Sequence, residues 1–204
     1  MLKHWIRPDK PDKEELKSRL KAAGERLEAQ QLRLKDKKLP VLVLIEGWGA
    51  AGKGSTIGQL IKHIDPRFFQ VFSMAAPTAE ERRKPFLTRY FERIPEAGKF
   101  TFLDSGWMDE VTKERLNGVL GDEAYAQRVD SVKRFERQLT DNGYLVLKFF
   151  FQISRKEQAR RINGLMDDKD TAWRVSRGDL WQNHHYERCA EVFDRYLEDT
   201  NTPS

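Results

Sequence analysis

The sequence predicts an α/β fold, a parallel sheet with helices on both faces, and three observations carry that prediction. From residue 41 onward, short apolar runs of strand type alternate with longer amphipathic stretches. The first apolar run opens directly into a glycine-rich turn, 47-GWGAAGKGST-56. A later run, 100-FTFLD-104, ends on an acidic residue. Strands apolar on both sides, repeated with helices between them, are the mark of a sheet buried on both faces.

The elements follow in order. Leu16, Leu20, Ala23, Leu27 and Leu34 fall along one helical stripe among Lys, Arg and Glu. This predicts an amphipathic helix over 13–34, packed on its own domain in preference to a dimer contact, since the stripe is short for a coiled coil. Strands are expected at 41–46, 70–74, 100–104 and 144–153. Helices are expected at 53–63, 78–94, 107–119, 123–141, 155–166 and 180–198. Residues 167–179 are polar, hold few apolar anchors and separate two helices, which makes them the expected mobile flap.

A chain of 204 residues holds one α/β domain and is short for two. Its formal charge of +5 favours anionic partners, with nucleic acid, polyanions and phosphorylated small molecules served about equally. No apolar run approaches the roughly 20 residues of a membrane span, and the opening residues lack an apolar signal core. No membrane contact and a cytoplasmic location are therefore expected, and the single Cys189 fits a reducing compartment.

Ligands collect at the carboxyl ends of parallel strands. Gly47, Gly49 and Gly52 let backbone N–H groups turn inward and approach an anion. The helix starting near Lys53 adds its positive N-terminus, and the lysine adds a full charge. Asp104, facing that loop from the end of its strand, is what a Mg²⁺ ion bridging phosphate oxygens requires. Separately, a glycine-rich turn can be a plain connection and a strand-terminal Asp a helix cap. Together they form the two-part signature of phosphoryl-transfer proteins. One spelling departs from the usual nucleotide loop: Gly54 follows Lys53, and the hydroxyl arrives at Ser55.

Other groups carry less. His184, His185 and Cys189 lack further ligands at metal spacing, and the neighbours Asp109–Glu110 and Asp167–Asp168 read as solvated charge. Within a single helix over 78–94, Arg82, Arg89 and Arg93 would fall near one face. They would form either a solvated basic face or a row of guanidinium groups for an elongated anion.

From about residue 39 to 203 the chain resembles the family-two polyphosphate kinases, among them the polyphosphate:AMP phosphotransferases. Four stretches carry the likeness: EGWGAAGKGSTI; APTAEERRKPFLTRYFERIPEAGKFTFLD, ending at Asp104; EQARR at 157–161 followed by Asp167, Asp168, Trp173, Arg174, Ser176 and Asp179; and the closing DTNTP. The family's AAGKG core accounts for Gly54. There are departures. The family usually has Asp, thought to help in catalysis, where this chain has Gly49. It has Arg-Ser-Trp-Tyr-Asn-Arg where this chain has Ser105 to Glu110. It has Asp-Pro in the lid where Lys169 follows Asp168, and often Arg at the place of Leu165. The family fold also runs past Thr-Pro into a further strand and helix.

The resemblance implies a P-loop kinase-like, three-layer α/β/α fold with a central parallel sheet, an N-terminal helical extension over 1–38, a phosphotransferase domain over 39–204 and a helical lid near 160–180. It implies phosphoryl transfer between inorganic polyphosphate and AMP or ADP with Mg²⁺. Lys53 and Asp104 would be catalytic, with Asp104 on the metal. Gly47, Gly49, Ala50, Ala51, Gly52, Gly54 and Ser55 would cradle phosphate. Arg89 and Arg93 would meet the acceptor or the chain, and Arg160, Arg161 and Arg174 would close over the polyphosphate. A homo-oligomer or a tandem partner domain is also implied.

Three other readings stay open on the residues. One is a catalytically weakened binding domain that supports an active partner, in line with Gly49 and Ser105. Another is an ATP-dependent nucleotide kinase of related fold. The third is a basic nucleic-acid-binding domain, against which the absence of a stacking-aromatic motif counts.

Overall fold

The computed structural model describes residue 2 and residues 11–202. Pro203, which closes the DTNTP stretch, and most of the first ten residues of the expected extension lie outside the described residues. In chain order come α1 (Lys13–Asp36), β1 (Val41–Gly47), α2 (Lys53–Leu60) with a 3-10 turn at Ile61–His63, and β2 (Phe69–Ser73). Then follow α3 (Ala79–Arg83), α4 (Thr88–Phe91), β3 (Phe100–Asp104), α5 (Trp107–Leu116), α6 (Asp122–Asp141) and β4 (Leu145–Phe151). The chain ends with α7 (Arg155–Met166), a 3-10 turn at Ala172–Arg174, α8 (Arg177–His184) and α9 (Tyr186–Asp199).

The sheet is four-stranded and parallel, in the order β2-β3-β1-β4. Alternation along β1 explains its uniform apolarity. Leu42 and Leu44 pack on one face with Leu103, Trp107, Val132, Phe135 and Leu139, while Val41, Val43 and Ile45 pack on the other with Ile57, Ile64, Phe100 and Phe102. A third cluster, around Trp48, Val111, Tyr125, Cys189 and Phe193, ties α5, α6 and α9 to the start of the glycine loop. The register sets Ile45 beside Asp104, so the loop leaving β1 and the loop leaving β3 start side by side. This is the three-layer α/β/α, P-loop kinase-like arrangement expected from the sequence.

Three expectations need correction. The helix expected over 78–94 is two short helices, because Pro85 has no N–H to continue the ladder and holds Lys84 extended (φ −92°, ψ 160°). The helix expected over 180–198 is also two, broken where His185 leaves the helical region (φ −109°, ψ 34°) and stacks on Trp181. It begins earlier than expected, because Ser176 and Asp179 form a capping box at the start of α8. The stretch 167–179 is accordingly built from a 3-10 turn and a helix start.

The stripe of α1 is divided along its length. Leu27 and Leu34 pack against the sheet, and the His63 ring lies on Gly24, whereas Leu16 and Leu20 are 40% and 63% exposed.

Candidate functional site

The glycine loop is held rigidly from behind. Gly47 has φ 119°, and a Cβ there would fall 2.5 Å from the Phe151 carbonyl oxygen, so only glycine fits. Trp48 is fully buried. Its Nε1 donates to Gln152 Oε1 at 2.6 Å, and its ring stacks on Tyr186 at 4.0 Å. Ala50 and Gly52 take positive φ, 56° and 98°, which turns the chain into α2. Gly52 offers no side chain to cap that helix, so the first N–H groups of α2 face outward, where an anion can meet them. The Lys53 ammonium lies over the loop, donating to the Gly47 and Trp48 carbonyls at 3.3 and 3.1 Å.

The second wall comes from β3. Asp104 is partly buried, and burial raises its carboxyl pKa; Lys53 pulls the other way and Asp109 adds to the rise. The place a Cβ on Gly54 would take lies 3.4 Å from Asp104 Oδ2, so the loop and the carboxylate share one space. Ser105 takes φ 63°, its N–H donating to Ile45 O at 3.1 Å, and this turn delivers the chain into α5.

Glu46, at the end of β1, is the group that sequence reasoning missed. Its Oε1 accepts from Gly106 N at 2.9 Å and Met108 N at 3.3 Å, so a carboxylate on one strand caps the helix that follows the next. Burial, with a contribution from Asp109, pushes its pKa up to about 8. The signal in the sequence was an acidic residue closing an otherwise apolar run.

These parts form a cleft of about 1000 Å³ lined by Gly49, Ala50, Ala51, Gly52, Lys53, Gly54, Ser55 and Asp104, with Arg160, Arg161, Arg174 and Asp179 on the opposite wall. Helices α7 and α8 grip the loop by its backbone. Gly49 N donates to Gln182 Oε1 at 2.8 Å, Gln158 Nε2 donates to Gly49 O at 3.2 Å, and Arg161 Nη1 donates to Ala51 O at 2.9 Å. The Gly49 N–H is therefore turned to α8 and away from the cleft.

Glu157 gathers both arginines of α7. Arg160 donates to it through Nε and Nη2, at 2.8 and 2.7 Å, and Arg161 through Nε at 2.7 Å. Those bonds hold its carboxyl at about 2. Arg174 lies over the ring of Trp173, 5.4 Å from its centroid.

Other expected residues lie elsewhere. Gly47 sits behind the cleft wall. Arg89 is buried, 3.7 Å from both Glu81 and Glu110, and its Nη2 donates to Ala75 O at 2.7 Å. Arg93 donates to the Arg89 carbonyl and covers the Phe72 ring, while Arg82 donates to Pro77 O. The break at Pro85 thus dissolves the arginine row, and none of the three lines the cleft. Burial raises the Cys189 thiol to about 11. Among the described residues no group of three or more His, Cys, Asp or Glu gathers to hold a metal. Asp104 offers the hard oxygen that suits Mg²⁺, an ion that commonly takes one or two carboxylates and fills its shell with water and substrate phosphates.

Comparison with known proteins gives the same picture. The family model described as Polyphosphate kinase 2 (PPK2) matches residues 10–204. A polyphosphate:AMP phosphotransferase of Pseudomonas aeruginosa is 33% identical over 175 residues, covering 86% of this chain and 35% of that protein. An ADP-polyphosphate phosphotransferase of the same organism is 32% identical over 163 residues, covering 80% of this chain and 54% of that one. The crystal structure of polyphosphate kinase 2 from Arthrobacter aurescens TC1 matches with a TM-score of 0.90 at 27% identity, covering 95% of this chain and 70% of that one. The chain spans between about a third and about half of the length of these two curated relatives. With the family model matching residues 10–204 and a solved member sharing the fold over nearly the whole chain, this protein belongs to the polyphosphate kinase 2 family.

Proposed function

We propose that the chain is a polyphosphate-dependent nucleotide phosphotransferase, moving a phosphoryl group between inorganic polyphosphate and AMP or ADP. The observation that carries the reading is the single cleft in which the uncapped start of α2, Lys53 and Asp104 face Arg160, Arg161 and Arg174. The names of the relatives, which couple polyphosphate to AMP or ADP, support the substrate class.

The chemistry asked of the protein is mostly positioning and charge stabilisation, since transferring phosphoryl groups need little covalent help. The N–H groups at the start of α2 hold the phosphate being transferred. Lys53 moves its ammonium from the Gly47 and Trp48 carbonyls to the charge that develops in transfer. Arg160, Arg161 and Arg174 neutralise the anionic chain from the opposite wall, and Trp48 and Glu46 keep the two loops in register. Asp104 would hold Mg²⁺, which when bound shields the negative charge of the phosphate oxygens.

The same reading includes a cytoplasmic location and assembly with another copy or a tandem domain. The exposed Leu16 and Leu20 of α1 support the assembly, and no helix among the described residues is long and apolar enough to cross a membrane.

The test is a steady-state assay with polyphosphate, MgCl₂ and AMP or ADP, read by chromatography of the nucleotides. Formation of ADP or ATP is expected. Binding without product would sink the enzymatic reading, and transfer from ATP but not from polyphosphate would reassign the donor.

A further inference from the structure

Asp179 is used on one side only. Its Oδ2 accepts from Ser176 N and Ser176 Oγ, both at 2.8 Å, in the capping box of α8. Its Oδ1 makes no hydrogen bond among the described residues and lines the phosphate cleft. The carboxylate sits directly above the loop. A Cβ built on Gly49 would lie 2.8 Å from the Asp179 carboxyl carbon and closer still to Oδ1, so the two cannot coexist as placed. Gly49 is outside the left-handed region, so its backbone would accept any residue. A side chain at position 49 would require the Asp179 carboxylate to swing aside from the place it now takes.

The placement is fixed from several directions. Gln182, three residues along α8, takes the Gly49 N–H at 2.8 Å. The fully buried Gln158 of α7 donates to both the Gly49 carbonyl, at 3.2 Å, and Gln182 Oε1, at 2.8 Å. The other cleft carboxylates are differently disposed: Asp109 is taken by Lys113 at 2.6 Å, and Asp104 is partly buried in the floor. A carboxylate is an acceptor only, and beside bound phosphates it is repelled unless the ligand presents a hydrogen-bond donor to it.

We propose that Asp179 is a substrate-contacting carboxylate of the phosphoryl transfer, carried by α8 into the space over the loop that glycine at position 49 leaves open. This rests on the phosphotransfer reading above. Its Oδ1 receives a donor borne by the bound substrate complex, either a water of the accompanying cation or a hydroxyl of the acceptor nucleotide.

The experiment compares wild type with Asp179→Asn, Asp179→Ala, Gly49→Asp and the double variant Gly49→Asp/Asp179→Ala, reading kcat, KM, Mg²⁺ dependence and thermal midpoint. Asp179→Asn keeps an oxygen for the cap and is expected to lose about tenfold or more in kcat/KM with little change in midpoint. Gly49→Asp alone is expected to lower both activity and midpoint. In the double variant the carboxylate returns from the loop side, so activity should exceed that of Asp179→Ala by about tenfold, with the midpoint above that of Gly49→Asp.

A cap without a substrate role predicts the opposite: Asp179→Asn active within about twofold of wild type, and no gain on adding Gly49→Asp. Either result overturns the proposal. A raised Mg²⁺ requirement in Asp179→Asn assigns the donor to the cation's water, whereas lost discrimination between ribo- and deoxynucleotide acceptors assigns it to the hydroxyl. If wild type transfers nothing, the proposed function falls. Calorimetric binding of Mg·ADP to the same proteins then decides on Asp179, with equal affinity in wild type and Asp179→Asn overturning its substrate contact.

Discussion

At the scale of single residues, Lys53 and Glu46 show two ways in which an ionisable group can serve the glycine loop. Among the described residues Lys53 donates to two carbonyls that any loop of this shape would offer. Lys53→Ala should therefore leave the thermal midpoint nearly unchanged while weakening polyphosphate binding by about tenfold or more, as calorimetry would show. Glu46 is a matter of stability. Its folded-state pKa, about 8, stands above the ordinary 4.5, so the folded protein binds the extra proton between those values and loses stability as pH rises through that window. Asp104 and Glu110, also raised by burial, slope the same way. Glu46→Gln should flatten the fall and be more stable than wild type at pH 8.5 by about 1 kcal/mol or more, measured by urea unfolding at pH 5.5 and 8.5. Lys53 and Asp104 were legible in the sequence because each sits at a strand end with a motif around it. Glu46 and Asp179 were given no role there, since the use of each depends on a partner 60 or 130 residues away in the chain.

Among the elements, α1 has two unlike halves. Its second half is seated by a glycine: a Cβ on Gly24 would approach His63 Nε2 to 2.6 Å, and His63 in turn bonds Glu28 at 2.9 Å. Gly24→Val should unseat the helix at a cost of about 1–3 kcal/mol, read as a lower unfolding midpoint, with the cleft's affinity for phosphate compounds retained. The leucine stripe announced this helix. It did not announce where docking stops, because a period of 3.6 residues says which side is apolar and is silent on what meets it. The same limit applies to 78–94: Arg82, Arg89 and Arg93 keep helical spacing on paper, and Pro85 ends the helix between them. A basic row read by spacing became a buried ion-pair centre at Arg89 and two neighbours, Arg82 and Arg93, bonded to the backbone carbonyls of Pro77 and Arg89.

The whole molecule carries a formal charge of +5, and five cationic side chains, Lys53, Lys113, Arg160, Arg161 and Arg174, line one cleft. Such a field favours long anions over short ones, and salt screens it over about 8 Å at physiological ionic strength. Raising NaCl from about 50 mM to about 500 mM should weaken binding of long-chain polyphosphate several-fold more than binding of AMP, measured by competition against a labelled nucleotide. The parallel sheet was the most legible part of the sequence, because strands buried on both faces must be apolar throughout. The strand order was not, since apolar runs do not say which neighbours they take.

One feature of the tryptophans reaches beyond architecture. Trp48 and Trp107 are almost wholly buried, one stacked on Tyr186 behind the glycine loop, the other donating to Glu136 at 3.0 Å. Trp173, 77% exposed beside Arg174, stands on the cleft wall itself. The protein therefore contains an optical gauge of its own cleft wall. Ligand entry should shift and quench the part of the red-side emission that Trp173 contributes, while the blue-side emission of the buried pair holds steady. A Trp173→Phe variant that binds ligand without that change would show that the signal belongs to this wall of the cleft.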